Sequence, residues 1–211
     1  NVSHLLQLAN SGSRLNFLTA DLNDYISLMN VVEKVKPDFV YHLAAQSYPQ
    51  TSFTSPLDTL NTNILGTESL LEALRRCPGI DPVIHICSSS EVYGEPLKNP
   101  IDETNITQGK TIYGITKLIG EQYCIAYKQK YGLDYTILRF FNTYGPGQKN
   151  NFAITKFINL AKQGKTIKIN GDGKQLRSYM YVTDAAEAAA KACVSENAKN
   201  KILNILCSLT L

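Results

Sequence analysis

The chain has 211 residues, 44% hydrophobic and 18% charged, with 21 Lys and Arg against 18 Asp and Glu. This is an ordinary globular balance, and a formal net charge of +3 gives no ground for a nucleic-acid partner. No apolar run approaches the ~20 residues of a membrane-spanning helix, no signal peptide opens the chain, and the five cysteines lack Cys-x-x-Cys spacing. A soluble cytoplasmic protein with reduced thiols is expected, with no membrane partner.

In chain order, Asn1–Leu8 reads as the tail of a helix, and Ser11-Gly12-Ser13 as a turn. Asn16–Ala20 reads as a strand. Asn23 is placed to cap an amphipathic helix over Asp24–Lys36, which Pro37 closes. Phe39–Ala45 is nearly all apolar, the pattern of a strand buried on both faces. Leu57–Arg76 is mainly helical, with Gly66 inside it and Pro78-Gly79 as the stop. Val83–Cys87 is a short buried strand. A polar loop over Glu95–Lys110 leads to a long helix at 112–131, with Gly132 in the place of a left-handed cap. Further strands are expected at Tyr135–Arg139, Thr166–Asn170 and Lys201–Cys207, and helices at 152–163 and Thr183–Val194. Strands alternating with helices predict an α/β fold with a doubly wound parallel sheet, Rossmann-like in kind.

The chemistry gathers around His85-Ile-Cys-Ser-Ser-Ser-Glu-Val-Tyr-Gly94. A buried strand there ends in three serines and a glutamate, at the sheet edge where open α/β folds bind ligands. Tyr113 and Lys117, four apart on the next helix, share one face. An ammonium beside a phenol favours the phenolate and lowers its pKa, which makes Tyr113 a proton-transfer group. Together these motifs resemble the extended short-chain dehydrogenase/reductases, in their nucleotide-sugar epimerase and dehydratase branch.

That resemblance implies an NAD- or NADP-dependent enzyme with Ser89, Tyr113 and Lys117 as its catalytic triad. Asp21 and Leu22 would hold the adenine ring, by carboxylate and backbone amide; the alternative is an Asx turn at helix entry. Leu43, Ala44 and Ala45 would let backbone approach the dinucleotide closely. The Ala44-Ala45-Gln46-Ser47 stretch, Ser52-Phe53 and Thr62-Asn63-x-x-Gly66-Thr67 match the family pattern, the first being similar to GDP-mannose 4,6-dehydratases. Ser90 falls in the Ser89-Ser90-Glu91 triplet, where dehydratases carry a hydroxyl first and a glutamate base last. Asn142, Lys156 and Arg177 would bind the nucleotide-diphosphate sugar, Arg177 by its planar fork of donors.

The implied reaction is a 4,6-dehydration: oxidation at C4, removal of the C5 proton by Glu91, loss of water and reduction at C6. An epimerase or 4-keto-sugar reductase with Glu91 as a bystander is the alternative, and a non-catalytic or truncated dinucleotide-binding protein another. None of the thirteen glycines forms a Gly-rich phosphate loop after a strand. Against the family, residues 1–147 correspond to a dinucleotide-binding domain lacking its first strand and that loop. Residues 148–211 correspond to part of a substrate-binding region, with the 183–195 helix able to pack back on the first domain. The histidines at 4, 42 and 85 show no metal spacing, and His42 and His85 read as satisfied core residues. Leu70, Leu71, Leu74, Leu118, Ile119 and Ile125, on more than one face of the helices at 57–76 and 112–131, suggest a homodimer.

Overall fold

A computed structural model describes residues 14–207 together with isolated positions 5, 7 and 9. The helix tail expected over Asn1–Leu8, apart from helical positions 5 and 7, and the turn at 11–13 lie outside the described residues. Four parallel strands form the main sheet in the order β1 (Phe39–His42), β2 (Val83–Ser89), β3 (Asp134–Phe140), β6 (Lys201–Ile205). A two-stranded parallel sheet pairs β4 (Asn142–Tyr144) with β5 (Tyr179–Tyr181). The helices are α1 (Tyr25–Val35), α2 (Pro49–Thr54), α3 (Pro56–Leu60), α4 (Gly66–Arg76), α5 (Ile112–Tyr131), α6 (Ala153–Lys162) and α7 (Val182–Val194). Among the described residues, no helix is long and apolar enough to cross a membrane.

Strand alternation divides the core into two faces. Ile84, Ile86 and Ile137 join Leu28, Val32, Leu71 and Leu74 under α1, α4 and α5. Leu138 and Ile205 turn the other way, against Ala192 of α7. Each aliphatic side chain buried in this way is worth about 1.5–3 kcal/mol. β6 and α7 thus return to the main sheet from the far end of the chain, on either side of the link through Glu196–Ala198.

Several expectations are corrected. The cap of α1 is Asp24 rather than Asn23, because its carboxylate accepts from the Ile26 and Ser27 amides at 3.0 and 3.2 Å. β1 stops at His42, and Phe39 and Tyr41 are exposed, so this strand is not covered on both faces. Residues 16–20 and 166–170 are not strands. No described strand lies beside either to complete a ladder, and Phe17, Ile167 and Ile169 are exposed. The helix expected over 57–76 is broken: Asn61–Leu65 forms a π turn between α3 and α4, closed by the Gly66 amide on the Asn61 carbonyl. The last strand ends at Ile205, two residues early.

The long helix matches expectation closely. Thr111 caps it by accepting the Gly114 amide at 2.9 Å. Gly132, at φ 80°, ends it by donating to the Lys128 carbonyl. Gly114 has a second task. A Cβ placed on it would lie 2.6 Å from the Glu91 carbonyl oxygen and 3.1 Å from the Thr111 hydroxyl. In an ordinary helix interior Gly→Ala is stabilising by about 1 kcal/mol. Here Gly114→Ala is expected to destabilise by about 1–3 kcal/mol, because the added methyl overpacks backbone rather than a mobile side chain. Urea unfolding measures this, and a gain in stability would refute the close approach.

Candidate functional site

β2 runs out into Ser88 and Ser89, and the chain then winds into a single 3-10 turn, Ser90–Tyr93. The Ser89 hydroxyl starts that turn by accepting the Glu91 amide at 3.2 Å, and it stands near enough to the Tyr113 phenol to favour its ionised form. Thr111 donates to the Glu91 carboxylate at 3.4 Å, so the cap of α5 also touches the candidate base. The Tyr113 amide donates to Ser52 at 3.2 Å.

Lys117 lies below Tyr113, its Nζ 5.8 Å from the ring centroid, and donates to the Cys87 carbonyl at 2.8 Å. The expected lowering of the tyrosine pKa is not found. Burial pushes Tyr113 up to about 12, helped by Cys87 and Glu91 and opposed by the nearby Ser89 hydroxyl. Burial also pulls Lys117 down. Enclosure in low dielectric thus shifts each group toward its neutral form, away from the lysine-stabilised phenolate expected.

A cleft of about 760 Å³ opens over this edge. Ser89, Ser90, Glu91, Tyr113, Leu43 and Asn142 line it. The rest of its lining is aromatic and small, with Phe141, Tyr144, Tyr179 and Phe152 joined by alanines of α7. Phe152 meets Tyr48 edge to face at 5.4 Å, which brings the start of α6 over the residues that follow β1.

Other candidates lie apart from the cleft. Asp21 accepts the Asn23 amide at 2.9 Å, the Asx turn weighed above. Leu22 packs on α4, where Gly66 leaves it room: a Cβ there would sit 2.9 Å from the Leu22 Cβ. Ala44 and Ala45 follow β1 outside the cleft lining, Ala44 exposed and Ala45 half-buried. Lys156 is exposed on α6, and Arg177 is exposed and donates to its neighbour's carbonyl at 2.8 Å. Neither long cation reaches the cleft wall. Asn142 donates to the Ser178 carbonyl at 3.2 Å, across the small sheet.

Beneath the cleft, Asn63 from the π turn accepts the Gln46 amide at 2.8 Å. It donates to the Gln46 carbonyl and to Thr116 of α5, both at 3.0 Å. Thr67 gives its proton to the Asn63 carbonyl at 2.7 Å, so His42 Nε2, 2.9 Å from the Thr67 oxygen, must carry the hydrogen of that pair. His42 is thus the satisfied core residue expected. His85 is not: it is buried against Tyr41, ring centroids 5.0 Å apart, and neither ring nitrogen has a hydrogen-bond partner.

Sequence reading missed a buried polar set. The Glu121 carboxylate accepts Ser88 Oγ at 2.5 Å and both Nε and Nη2 of Arg139, at 2.9 and 2.7 Å. Arg139 Nη1 donates to the Tyr93 hydroxyl at 2.8 Å, and that hydroxyl donates to Asn204 at 2.7 Å. The signal was available. Glu121 continues the four-residue spacing of Tyr113 and Lys117 on the helix, and Arg139 is the one charged residue in the strand expected over Tyr135–Arg139.

Residues 2–205 match the family model described as NAD dependent epimerase/dehydratase family, and the chain belongs to that family. It is 36% identical over 183 residues to a trifunctional UDP-glucose 4,6-dehydratase/UDP-4-keto-6-deoxy-D-glucose 3,5-epimerase/UDP-4-keto-L-rhamnose-reductase of Arabidopsis thaliana, covering 84% of this chain and 27% of that one. It is 32% identical over 190 residues to the UDP-glucose 4-epimerase of Mycolicibacterium smegmatis, 89% of this chain and 60% of that one. The fold matches a UDP-glucuronic acid 4-epimerase from Bacillus cereus, solved with UDP-glucuronic acid and NAD. The TM-score is 0.88 at 29% identity, over 99% of this chain and 65% of that one. The chain therefore spans less than two thirds of these relatives' length.

Burial, with a push from Lys117, lowers the His42 pKa to about 4. A histidine with its folded pKa below the unfolded ~6.5 lends stability above that value and loses it as pH falls toward 4. Wild type should lose roughly 2–3 kcal/mol more than His42→Gln between pH 7 and pH 4.5. Denaturant titrations at the two pH values check this; equal losses would show that His42 titrates normally.

Proposed function

We propose that the chain belongs to a nucleotide-diphosphate-sugar 4,6-dehydratase, an enzyme that uses NAD or NADP. The observation that carries the reading is that the Glu91 carboxylate lines the same cleft as Ser89 and Tyr113. A second proton acceptor beside the triad suits a reaction that takes protons from two places on the sugar.

The donor set fits a dinucleotide. An ammonium has three protons, and Lys117 gives one to the Cys87 carbonyl, leaving others for ribose hydroxyls. Leu43 and the small Ala44 and Ala45 leave the backbone after β1 open to close approach. Held by these groups, NAD or NADP would supply hydride acceptance and return. Once ionised, Tyr113 would take the 4-hydroxyl proton, with Ser89 holding the same oxygen. The C4 ketone then acidifies C5, and Glu91 would remove that proton as water departs from C6. Ser90 and Asn142 would hold the sugar, and Arg177 and Lys156 would need to move to meet a diphosphate.

A 4-epimerase is the second reading, favoured by the likeness to the M. smegmatis enzyme; it needs no base at Glu91. A GDP-mannose substrate was suggested by Ala44-Ala45-Gln46-Ser47, whereas the relatives reported above act on UDP sugars. Full-length protein offered GDP-mannose, dTDP-glucose and UDP-glucose in turn should yield a 4-keto-6-deoxy sugar from one of them without added reductant. Tyr113→Phe should lose about 10²–10⁴-fold in turnover. Glu91→Gln should still oxidise C4 while exchange of the C5 proton falls at least ~10²-fold. If Glu91→Gln dehydrates at the wild-type rate, Glu91 is not the base; if the wild type forms no 4-keto-6-deoxy sugar and inverts C4 instead, the epimerase reading takes precedence.

We also propose a homodimer through α3, α4 and α5. Leu70, Leu71 and Leu74, which first suggested it, are buried within the monomer core. Apolar residues that remain exposed in this region include Leu57 at 73%, Leu65 at 50% and Ile115 at 44%. Light scattering of the full-length protein at micromolar concentration is expected to give twice the chain mass, and a strict monomer would end the proposal.

A further inference from the structure

The Ser89–Glu91 triplet is a short turn on the lip of an open cleft, and such turns are ordinarily the loosest part of a site. This one is tied at both ends to the same buried pair. Ser88, immediately before it, donates to Glu121 at 2.5 Å. Tyr93, the last residue of its turn, accepts from Arg139 at 2.8 Å. Glu121 and Arg139 are themselves joined by a two-point fork, and their side chains are 0% and 4% exposed. Glu121 stands on α5, one helical turn beyond Lys117 and two beyond Tyr113, so all three lie along one helix face. The helix that carries Tyr113 therefore also carries the anchor of the turn that carries Ser89 and Glu91.

We propose that the Glu121–Arg139 pair is a positioning device, which sets Ser89 and Glu91 in register with Tyr113 through Ser88 and Tyr93. None of the four residues needs to touch the sugar for this, and the proposal rests on the catalytic roles read above for Ser89, Glu91 and Tyr113. The purpose is geometric. A reacting group displaced by ~1 Å can lose ~10²-fold in rate while binding is retained. The tether continues outward: Tyr93 donates to the Asn204 side chain at 2.7 Å, and the Asn204 amide donates to Glu103 at 2.7 Å. The polar loop that follows the turn is thereby fastened to β6.

Removing Glu121 or Arg139 would strand a buried charge and risk unfolding, so the test cuts the two tethers instead. In the full-length protein Ser88→Ala deletes one hydroxyl and Tyr93→Phe the other. The pair is left intact. Each variant should lower kcat at least ~10-fold with KM within about threefold, the signature of misplaced groups rather than lost binding. The double variant should lose less than the product of the two, since both act on one turn. Amide exchange over residues 89–94 should rise at least ~10-fold, while α5 and β3 keep their protection.

Unchanged kcat with unchanged exchange would overturn the proposal, as would a rise in KM alone. If wild type turns over no nucleotide sugar, the catalytic reading fails by itself. The exchange measurement then decides the tethering: faster exchange at 89–94 upholds it and unchanged exchange refutes it.

Discussion

The site depends on one close approach of backbone to backbone. The first turn of α5 lies against the 3-10 turn at the end of β2, at a separation that admits no side chain at Gly114. Because that gap is closed, Thr111 can cap the helix and reach Glu91 together. Tyr113 is brought beside Ser89, and Lys117 comes to rest under the Cys87 carbonyl. Helix and strand are two rigid elements, and a site made where they touch inherits their precision. A cleft walled by loops alone would not.

Closing the gap has an electrostatic consequence. Tyr113 and Lys117 are both drawn out of water, and burial shifts each toward its uncharged form. The tyrosine is then poised to hold a proton until something in the cleft stabilises its loss. The same low dielectric makes neighbouring polar groups costly unless they are paired. The structure meets that demand almost everywhere: Glu121 is forked by Arg139, Asn63 uses both ends of its amide, and His42 hydrogen-bonds Thr67. Among the described residues His85 is an exception, since burial against aromatic rings leaves its two nitrogens without a hydrogen-bond partner, and Asn105 Oδ1 is another.

How much was readable in advance follows the range of the forces involved. α5 could be read end to end, since Thr111 and Gly132 act within a single turn of it. β2 and β3 could be read because apolar, β-branched runs suit a strand buried on both faces. Residues 16–20 and 166–170 have the same local pattern, but a strand is made by its neighbour and these have none among the described residues. Ser89, Glu91 and Tyr113 could be placed together because strand end and helix start are adjacent in an α/β fold. Arg177 and Lys156 could not be placed, because long cations on the far lobe answer to a ligand's charge more than to local packing. Glu121 and Arg139 went unread for the opposite reason: their meaning lies in a contact between elements 18 residues apart in sequence.

The π turn at Asn61–Leu65 has a meaning for how this chain tolerates change. An α-helix advances about 100° per residue, and a wider turn lets the following helix start from a shifted angular phase. In that phase Gly66 meets Leu22, Thr67 meets His42, and the Asn63 amide spans Gln46 and Thr116. Losing one residue here would restore plain α-helical winding and leave every hydrophobic side chain of α4 in the sequence. It would also rotate that entire helix face away from its partners. The spacing of this segment is thus as strictly set as its composition, and length variation is far better accommodated in the polar stretch at 95–110 than in these five residues.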